Sequence, residues 1–423
     1  MRVLIISHTA LDRSTNMGKT LSSYFSGFSP QELAQFYIHN QLPEEDSLCR
    51  NFYRFTDKDA LRSLLVPRGG RVYAGTEGKS ASLWLRWMYR LGRRRTAGIY
   101  LLRNLLWRLS HWDTGRFRQW VDDFAPDVIF LASGDYGFLY QIARGVQRRT
   151  GKPLVVSCVD DYYFHNRNAG SLLGRLVYRA FLRTVEETMA GASAAFCICP
   201  AMRECYERRF GIPCHCLPTA AEDWGLPAGE EERLSYMGNL DNGRHLTLRD
   251  MGRALRRIWE PGLPACIDVY SGERDPAVLK ELTPENGIRF HGRVSCERVR
   301  EIMAQSLAVI HVESFEPQMQ ARVRLSVSTK IPESLRNGPC IIACGPEGAA
   351  SISYLKENGA GYVISRPGEL EQGLKEILSD RELRLRVIAK ARNLARQNHD
   401  VGANSQNLRT WLEAACREKE ESP

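Results

Sequence analysis

A chain of 423 residues is long for one domain and comfortable for two, each able to bury its own core. With 43% hydrophobic and 25% charged residues and no biased tract, the composition excludes a fibrous, disordered or disulfide-scaffold protein. The net charge of +9 points to an anionic partner without choosing among nucleic acid, a phosphorylated substrate and a membrane surface.

No window holds the roughly 18 uninterrupted apolar residues that a spanning helix needs. The opening MRVLIISHTALD reads as a strand and a loop, with an apolar run too short for a signal peptide. The twelve cysteines are therefore expected as reduced thiols in a cytoplasmic protein.

Residues 3–7 form a buried strand, 8–17 a polar loop, and Gly18-Lys19-Thr20 opens a helix. Strand, GKT and helix is the setting of a phosphate-binding loop. The position five before Gly18 is Arg13, however, where the first glycine of the anion nest should stand. The alternative is a βα loop whose glycine lets the backbone approach something closely, a phosphate included.

A basic insertion, about 80–118, comes next. Trp84, Trp87, Met88 and Leu91 make one helical face apolar, with Arg86, Arg90, Arg93 and Arg94 on the other. Arg95, Arg103, Arg108, Arg116 and Arg118 continue the basic character beside Tyr100, Trp107 and Trp112. Two readings stand: an amphipathic helix at an anionic membrane surface, or a core-packed helix with a solvated arginine face. Nucleic-acid binding is set aside, because no reader motif is present and the aromatics are read on the face opposite the arginines.

A βαβ crossover follows, with strands at 128–133 and 154–159 and a helix between them. The second strand runs into Asp160-Asp161-Tyr162-Tyr163 and His165, at the end of a parallel strand where function gathers. Asp160 or Asp161 would equally cap the next helix. A third unit has a helix at 174–190, a strand at 194–199 and a helix at 201–210. Cys197, Cys199, Cys205, Cys214 and Cys216 cluster there, but their CxC spacing is not that of common zinc sites. Cys197 and Cys199 alternate with apolar neighbours in a strand, where thiols behave as small buried hydrophobes.

After the polar stretch 220–233 a second βα series begins. Strand 234–237 leads through Gly238-Asn239-Leu240-Asp241-Asn242-Gly243 to Arg244 and His245 at the start of a helix. Strands at 265–271, 288–291 and 307–312 follow, the last ending in Glu313-Ser314-Phe315. The series closes with TKIPESLRNGPCIIACGPEGAASISYLKENGAGYVI, residues 329–364. Lys330 and Glu333 share a helical face there, a cation for phosphate beside a carboxylate for sugar hydroxyls. That pairing is what a nucleotide-sugar site needs.

The order YMGNLDNGR, DVYSGE, IRFHGRVSCERVREIMAQSLAVIHVES, STKIPESLRNGPCIIA and ENGAGYVI resembles the C-terminal domain of the family 4 retaining glycosyltransferases of the GT-B fold. PDVIFLASGDYG, GKPLVVSCVDDYY and AAFCICPAMRECYERRFGIPCHCLP resemble that family's acceptor-side domain. The likeness spans about residues 1–395. It implies an α/β chain of two Rossmann-like domains facing across a cleft. Residues 1–222 would form the acceptor side and 223–400 the donor side, with a C-terminal helix at 401–423 crossing back to the first.

By that resemblance Arg244 and Lys330 meet the donor diphosphate and Glu333 the ribose, with Gly238, Asn239, Ser328 and Thr329 around them. Gly18 and Lys19 would face the diphosphate from the N-terminal loop. Asp160, Asp161 and His165 would orient acceptor or sugar. The family's usual partner carboxylate, eight residues before Glu333, is replaced by Leu325, so Glu313 or Glu316 would have to substitute.

The expected reaction moves a sugar from a nucleotide donor to a glycan or lipid-linked glycan, with retention. It needs neither cofactor nor metal. The expected location is the cytoplasm, on the inner face of a membrane, in surface polysaccharide synthesis. The rivals are a GT-B-shaped sugar-nucleotide epimerase, a non-catalytic nucleotide-binding partner protein and a P-loop kinase or ATPase.

Overall fold

The computed structural model describes residues 1–12, 15–65, 70–72, 96–166, 170–226 and 231–421. The stretch bearing Trp84, Arg86, Arg90, Arg93 and Arg94 lies outside them. The chain divides into two compact units. One comprises Met1–Pro218 with Val401–Pro423, the other Thr219–Asp400.

The first unit carries eight strands: β1 (Val3–Ser7), β2 (Leu33–Tyr37), β3 (Asn51–Arg54), β4 (Gly70–Val72), β5 (Val128–Ala132), β6 (Leu154–Cys158), β7 (Ala194–Cys197) and β8 (Cys214–Cys216). Their spatial order is β4-β3-β2-β1-β5-β6-β7-β8. All pair in parallel except β4, which runs antiparallel on the edge. Every residue of β1, β5 and β6 is buried. Helices on both faces of a parallel sheet demand such continuous apolar runs.

The helix Val401–Glu421 belongs to this unit. Its Leu408 and Leu412 are fully buried in the cluster that holds Val3, Phe25 and Phe130. Burying each contributes about 2 kcal/mol relative to exposure. Arg409 clamps Glu32 at 2.8 and 2.9 Å, and Trp411 stacks on His215 at 4.6 Å.

The second unit has six strands: β9 (Glu231–Met237), β10 (Ile267–Tyr270), β11 (Ile288–Gly292), β12 (Ser306–Val312), β13 (Cys340–Cys344) and β14 (Tyr362–Ile364). They stand in the order β11-β10-β9-β12-β13-β14, all parallel. β9 opens at Glu231, so the end of the stretch read as a polar linker is already strand.

Both sheets reverse their winding once, between β1 and β5 and between β9 and β12. At such a switch point the loops leaving two neighbouring strands diverge and open a crevice at the carboxyl ends.

Three expectations change. In the helix Ala97–Leu109 the arginine and aromatics are not on opposite faces. Arg103 Nε and Trp107 Nε1 both donate to Asp57 Oδ1, at 2.9 and 2.7 Å. The Arg103 guanidinium also lies 4.0 Å over the Tyr136 ring. The Asp57 carboxylate draws the cation inward, and leucines are left facing out.

Neither Asp160 nor Asp161 caps a helix. The next one, Leu172–Met189, is capped by Ser171, while Asp161 Oδ1 accepts from the Phe164 amide at 2.8 Å to hold a turn. The close approach at Gly18 is local. A Cβ there would stand 2.3 Å from the Asp12 carbonyl oxygen, so glycine is required for the loop to fold over its own helix.

Candidate active site

The switch point of the second sheet is built from two loops. The one after β9 turns through Asn242 and Gly243, both at positive φ, and delivers Arg244 as the first residue of the helix Arg244–Arg257. Only glycine serves at 243, because a Cβ would also press on Ser314 Oγ at 2.7 Å. The loop after β12 begins with Glu313.

Across the gap Arg244 and Glu313 form a two-pronged pair, Nε to Oε2 at 3.1 Å and Nη2 to Oε1 at 3.0 Å. Arg244 Nη1 donates to Asn239 Oδ1 at 2.6 Å. Three of the five guanidinium N–H bonds are thus engaged, and two remain among the described residues.

Glu313 is 1% exposed. Burial raises its carboxyl above the ordinary range, and the Arg244 charge opposes that rise. Beneath it His311 Nε2 lies 3.6 Å from Glu313 Oε1 and makes no hydrogen bond. Burial, with Arg244 and Lys330 nearby, lowers the imidazole to about 3, so it stays neutral.

Lys330 starts the helix Lys330–Asn337, and its Nζ donates to the Met237 carbonyl at 2.5 Å. That places a second cation at the end of β9. Beside Lys330, past the ends of β9 and β10, opens a cleft of about 450 Å³ whose lining includes Gly238, Asn239, Asp241, Gly272, Arg293 and Lys330. Tyr236, buried below, props the loop by donating to the Asn239 carbonyl.

Glu333 is half-buried in the first turn of the Lys330 helix. The Ser328 amide donates to Ser351 Oγ at 3.1 Å, which ties the Ser-Thr-Lys run to the next helix. Leu325 is buried in apolar surroundings, a position that would penalise a carboxylate. Of the two substitutes considered for it, Glu313 is committed to Arg244 and Glu316 is exposed.

In the first unit Lys19 is exposed and Gly18 donates its amide to Thr15 Oγ1 at 3.0 Å. His165 lines a small cavity of about 50 Å³ with Tyr100, Asn104, Asp135, Tyr162 and Tyr178. Tyr100 donates to Asp135 Oδ2 at 2.5 Å. The sequence names Tyr100 only as an aromatic of the basic insertion and does not single out Asp135, 35 residues away. Asp135 did sit where a ligand residue is expected, just past a parallel strand.

Two family descriptions match the chain. A glycosyl transferase 4-like domain covers residues 63–215 and a glycosyl transferase-like domain covers residues 244–410. The chain belongs to the group 1 glycosyltransferases of the GT-B fold.

Solved structures share the architecture at low identity. HepE from Anabaena, in complex with UDP, is 12% identical with a TM-score of 0.63, covering 98% of this chain and 100% of its own. The sucrose-phosphate synthase of Thermosynechococcus elongatus is 10% identical at TM-score 0.61, covering 98% and 99%. The E. coli trehalose-6-phosphate structure bound with UDP-2-fluoro glucose is 11% identical at TM-score 0.58, covering 97% and 99%. No curated protein sequence matches.

In this glycosyltransferase, no group of three or more His, Cys, Asp or Glu among the described residues is arranged to hold a metal. Cys197 pairs in register with Cys158 and Cys216, and burial pushes the Cys216 thiol up to about 12. Among the described residues no helix is long and apolar enough to cross a membrane.

Proposed function

We propose that this glycosyltransferase moves a sugar from a UDP-sugar to a lipid-linked glycan, with retention, at the inner membrane face during surface polysaccharide synthesis. The observation that carries the donor half is the Arg244–Glu313 pair spanning the switch point. It presents a fixed guanidinium with two N–H bonds to spare, beside Lys330 and the start of a helix. UDP and UDP-sugar complexes of the solved relatives support the choice of nucleotide.

On this reading the diphosphate lies between Arg244 and Lys330, at the edge of the cleft and against the Asn239 amide. Glu333 takes the ribose hydroxyls, and Glu316, exposed beside Gly243, is the carboxylate within reach of the sugar. As the bond from C1 to the diphosphate oxygen breaks, negative charge grows on the leaving group. Preplaced cations and a helix start meet that charge, so the reading assigns the step to them rather than to a metal.

The acceptor hydroxyl bonds to C1 from the face the leaving group vacates, which retains configuration, and its proton passes to the departing phosphate oxygen. No enzymic base is then required, and His165 and its cavity serve the acceptor.

Thermal melting with a panel of nucleotides and nucleotide sugars tests the donor assignment. UDP or its sugars at about 100 times Kd should add roughly 2.7 kcal/mol of stability. Failure of every nucleotide to raise the melting point would sink it.

A further inference from the structure

We infer that a leucine face on the N-terminal unit docks this protein on an anionic lipid bilayer. Of the thirteen large hydrophobic residues exposed among the described residues, ten stand on or just past three neighbouring helices. The helix Ala97–Leu109 packs against both Asp57–Ser63 and Leu172–Met189.

Its own outer face carries Leu101, Leu102, Leu105 and Leu109, with Leu101, Leu105 and Leu109 at successive intervals of four along one stripe. The helix Leu172–Met189 adds Leu172, Leu173 and Leu176, with Leu172 73% exposed. Leu61 on the helix Asp57–Ser63, and Leu64 and Leu65 just past it, complete the group, Leu65 being 90% exposed. A contiguous apolar face of this kind on a water-soluble fold marks an interaction surface.

Charge selects the occupant. Arg62, Arg108, Arg179 and Arg183 are exposed on these same helices and have no ion-pair partner among the described residues. Some arginines exposed elsewhere are paired, as Arg118 is with Asp113, Arg257 with Glu371 and Arg298 with Glu301, whereas these four stand uncompensated on the helices that carry the leucines. Leucines interspersed with uncompensated arginines match an anionic interface, where the side chain enters the acyl boundary and the guanidinium meets phosphate. A protein partner's apolar patch would leave those four charges unmatched.

The placement also serves the acceptor. The cavity of Tyr100, Asp135 and His165 is walled by two of the helices that bear the leucines, through Ala97, Tyr100 and Asn104 of Ala97–Leu109 and Gly174, Val177 and Tyr178 of Leu172–Met189. At about 50 Å³ it is too small for a sugar ring, so a glycan head would reach into it with a hydroxyl only, while its lipid stayed in the bilayer. This deepens the lipid-linked acceptor reading and rests on it, but the docking itself requires neither nucleotide nor acceptor.

The test is co-sedimentation of the full chain with phosphatidylcholine vesicles, with and without phosphatidylglycerol. Binding should require the anionic lipid and weaken with salt. The triple variant Leu102→Gln, Leu105→Gln, Leu176→Gln should lose at least tenfold in partition while melting as the wild type does. Changing Arg62, Arg108, Arg179 and Arg183 to Gln should lose roughly fivefold per residue.

Wild-type indifference to anionic vesicles, or a leucine variant that binds as well as wild type, would overturn the proposal. So would a wild-type dimer in sedimentation that the leucine changes dissociate, since the face would then belong to a second copy. Nucleotide-induced stabilisation, measured without vesicles, should be unaltered in both variants. Its loss in wild type would count against the donor reading instead.

Discussion

The two sheets share a winding scheme yet furnish their carboxyl ends differently. At the switch point between β9 and β12 the residues are ionic and fixed: Arg244 on buried Glu313, Lys330 on a backbone carbonyl. Past β5 and β6 they are aromatic and hydroxylic, with Tyr100 on Asp135 and tyrosines and His165 around a small cavity. Outside that cavity the surface turns to leucine. The fold thus supplies the location of a site in each unit, and the loop residues decide which chemistry it takes. A preorganised cation suits a leaving diphosphate, whereas ring and hydroxyl surfaces suit the faces and edges of a sugar.

The contrast breaks most directly at Arg244. Arg244→Ala should lower kcat/KM with a UDP-sugar by about a hundredfold or more, on the order of 3 kcal/mol of transition-state stabilisation. Near-wild-type turnover would show that the ionic end is structural only.

Glu313→Gln should cost about 3 kcal/mol of folding stability, because the mostly buried Arg244 charge loses its counter-ion. Urea unfolding would read this as a lower midpoint at unchanged m value.

His311 sharpens the same point through pH. Its imidazole is held near 3 in the folded protein against 6.5 ordinarily, so below about pH 6.5 the unfolded chain binds the extra proton. Stability should therefore fall with pH from about 6.5 toward about 3, by roughly 2 kcal/mol at about pH 5. His311→Asn should flatten that slope in urea titrations.

The smallest effect is expected in the other unit. Asp135→Asn should leave nucleotide stabilisation intact while slowing transfer about tenfold, roughly 1.4 kcal/mol. Equal loss of donor binding would erase the distinction between the two ends.

Much of the second unit could be read from sequence. Its strands are short apolar runs, and β10, β11 and β12 fall within two residues of the runs read at 265–271, 288–291 and 307–312. Arg244 and Lys330 were legible for the same reason, each standing next to a strand end or turn.

The side of the first sheet beyond β1, from β2 to β4, was not. β2 is LAQFY, and its central Gln35 looks like a solvated position. It is fully buried instead, its amide nitrogen donating to Ser7 Oγ at 2.7 Å and the Thr9 carbonyl at 3.0 Å while its oxygen accepts from Leu11 at 2.8 Å. A buried amide with every bond satisfied carries no periodic signature. Glu313 was named only as a stand-in for a missing carboxylate, because its partner lies 69 residues away and no local pattern reports the pairing. Arg103 misled for a related reason, its inward turn being dictated by Asp57 on another helix.

The last helix, Val401–Glu421, fills the core of the unit that the chain began. During synthesis the second unit, 219–400, is continuous and can complete itself once its final residues leave the ribosome. The first must wait with Leu21, Phe25 and Phe130 incompletely covered until Leu408 and Leu412 arrive. Domains usually mature in the order they are made. Here the order is inverted, so the unit translated first is sealed last, and its half-built state is the one a chaperone would have to shelter.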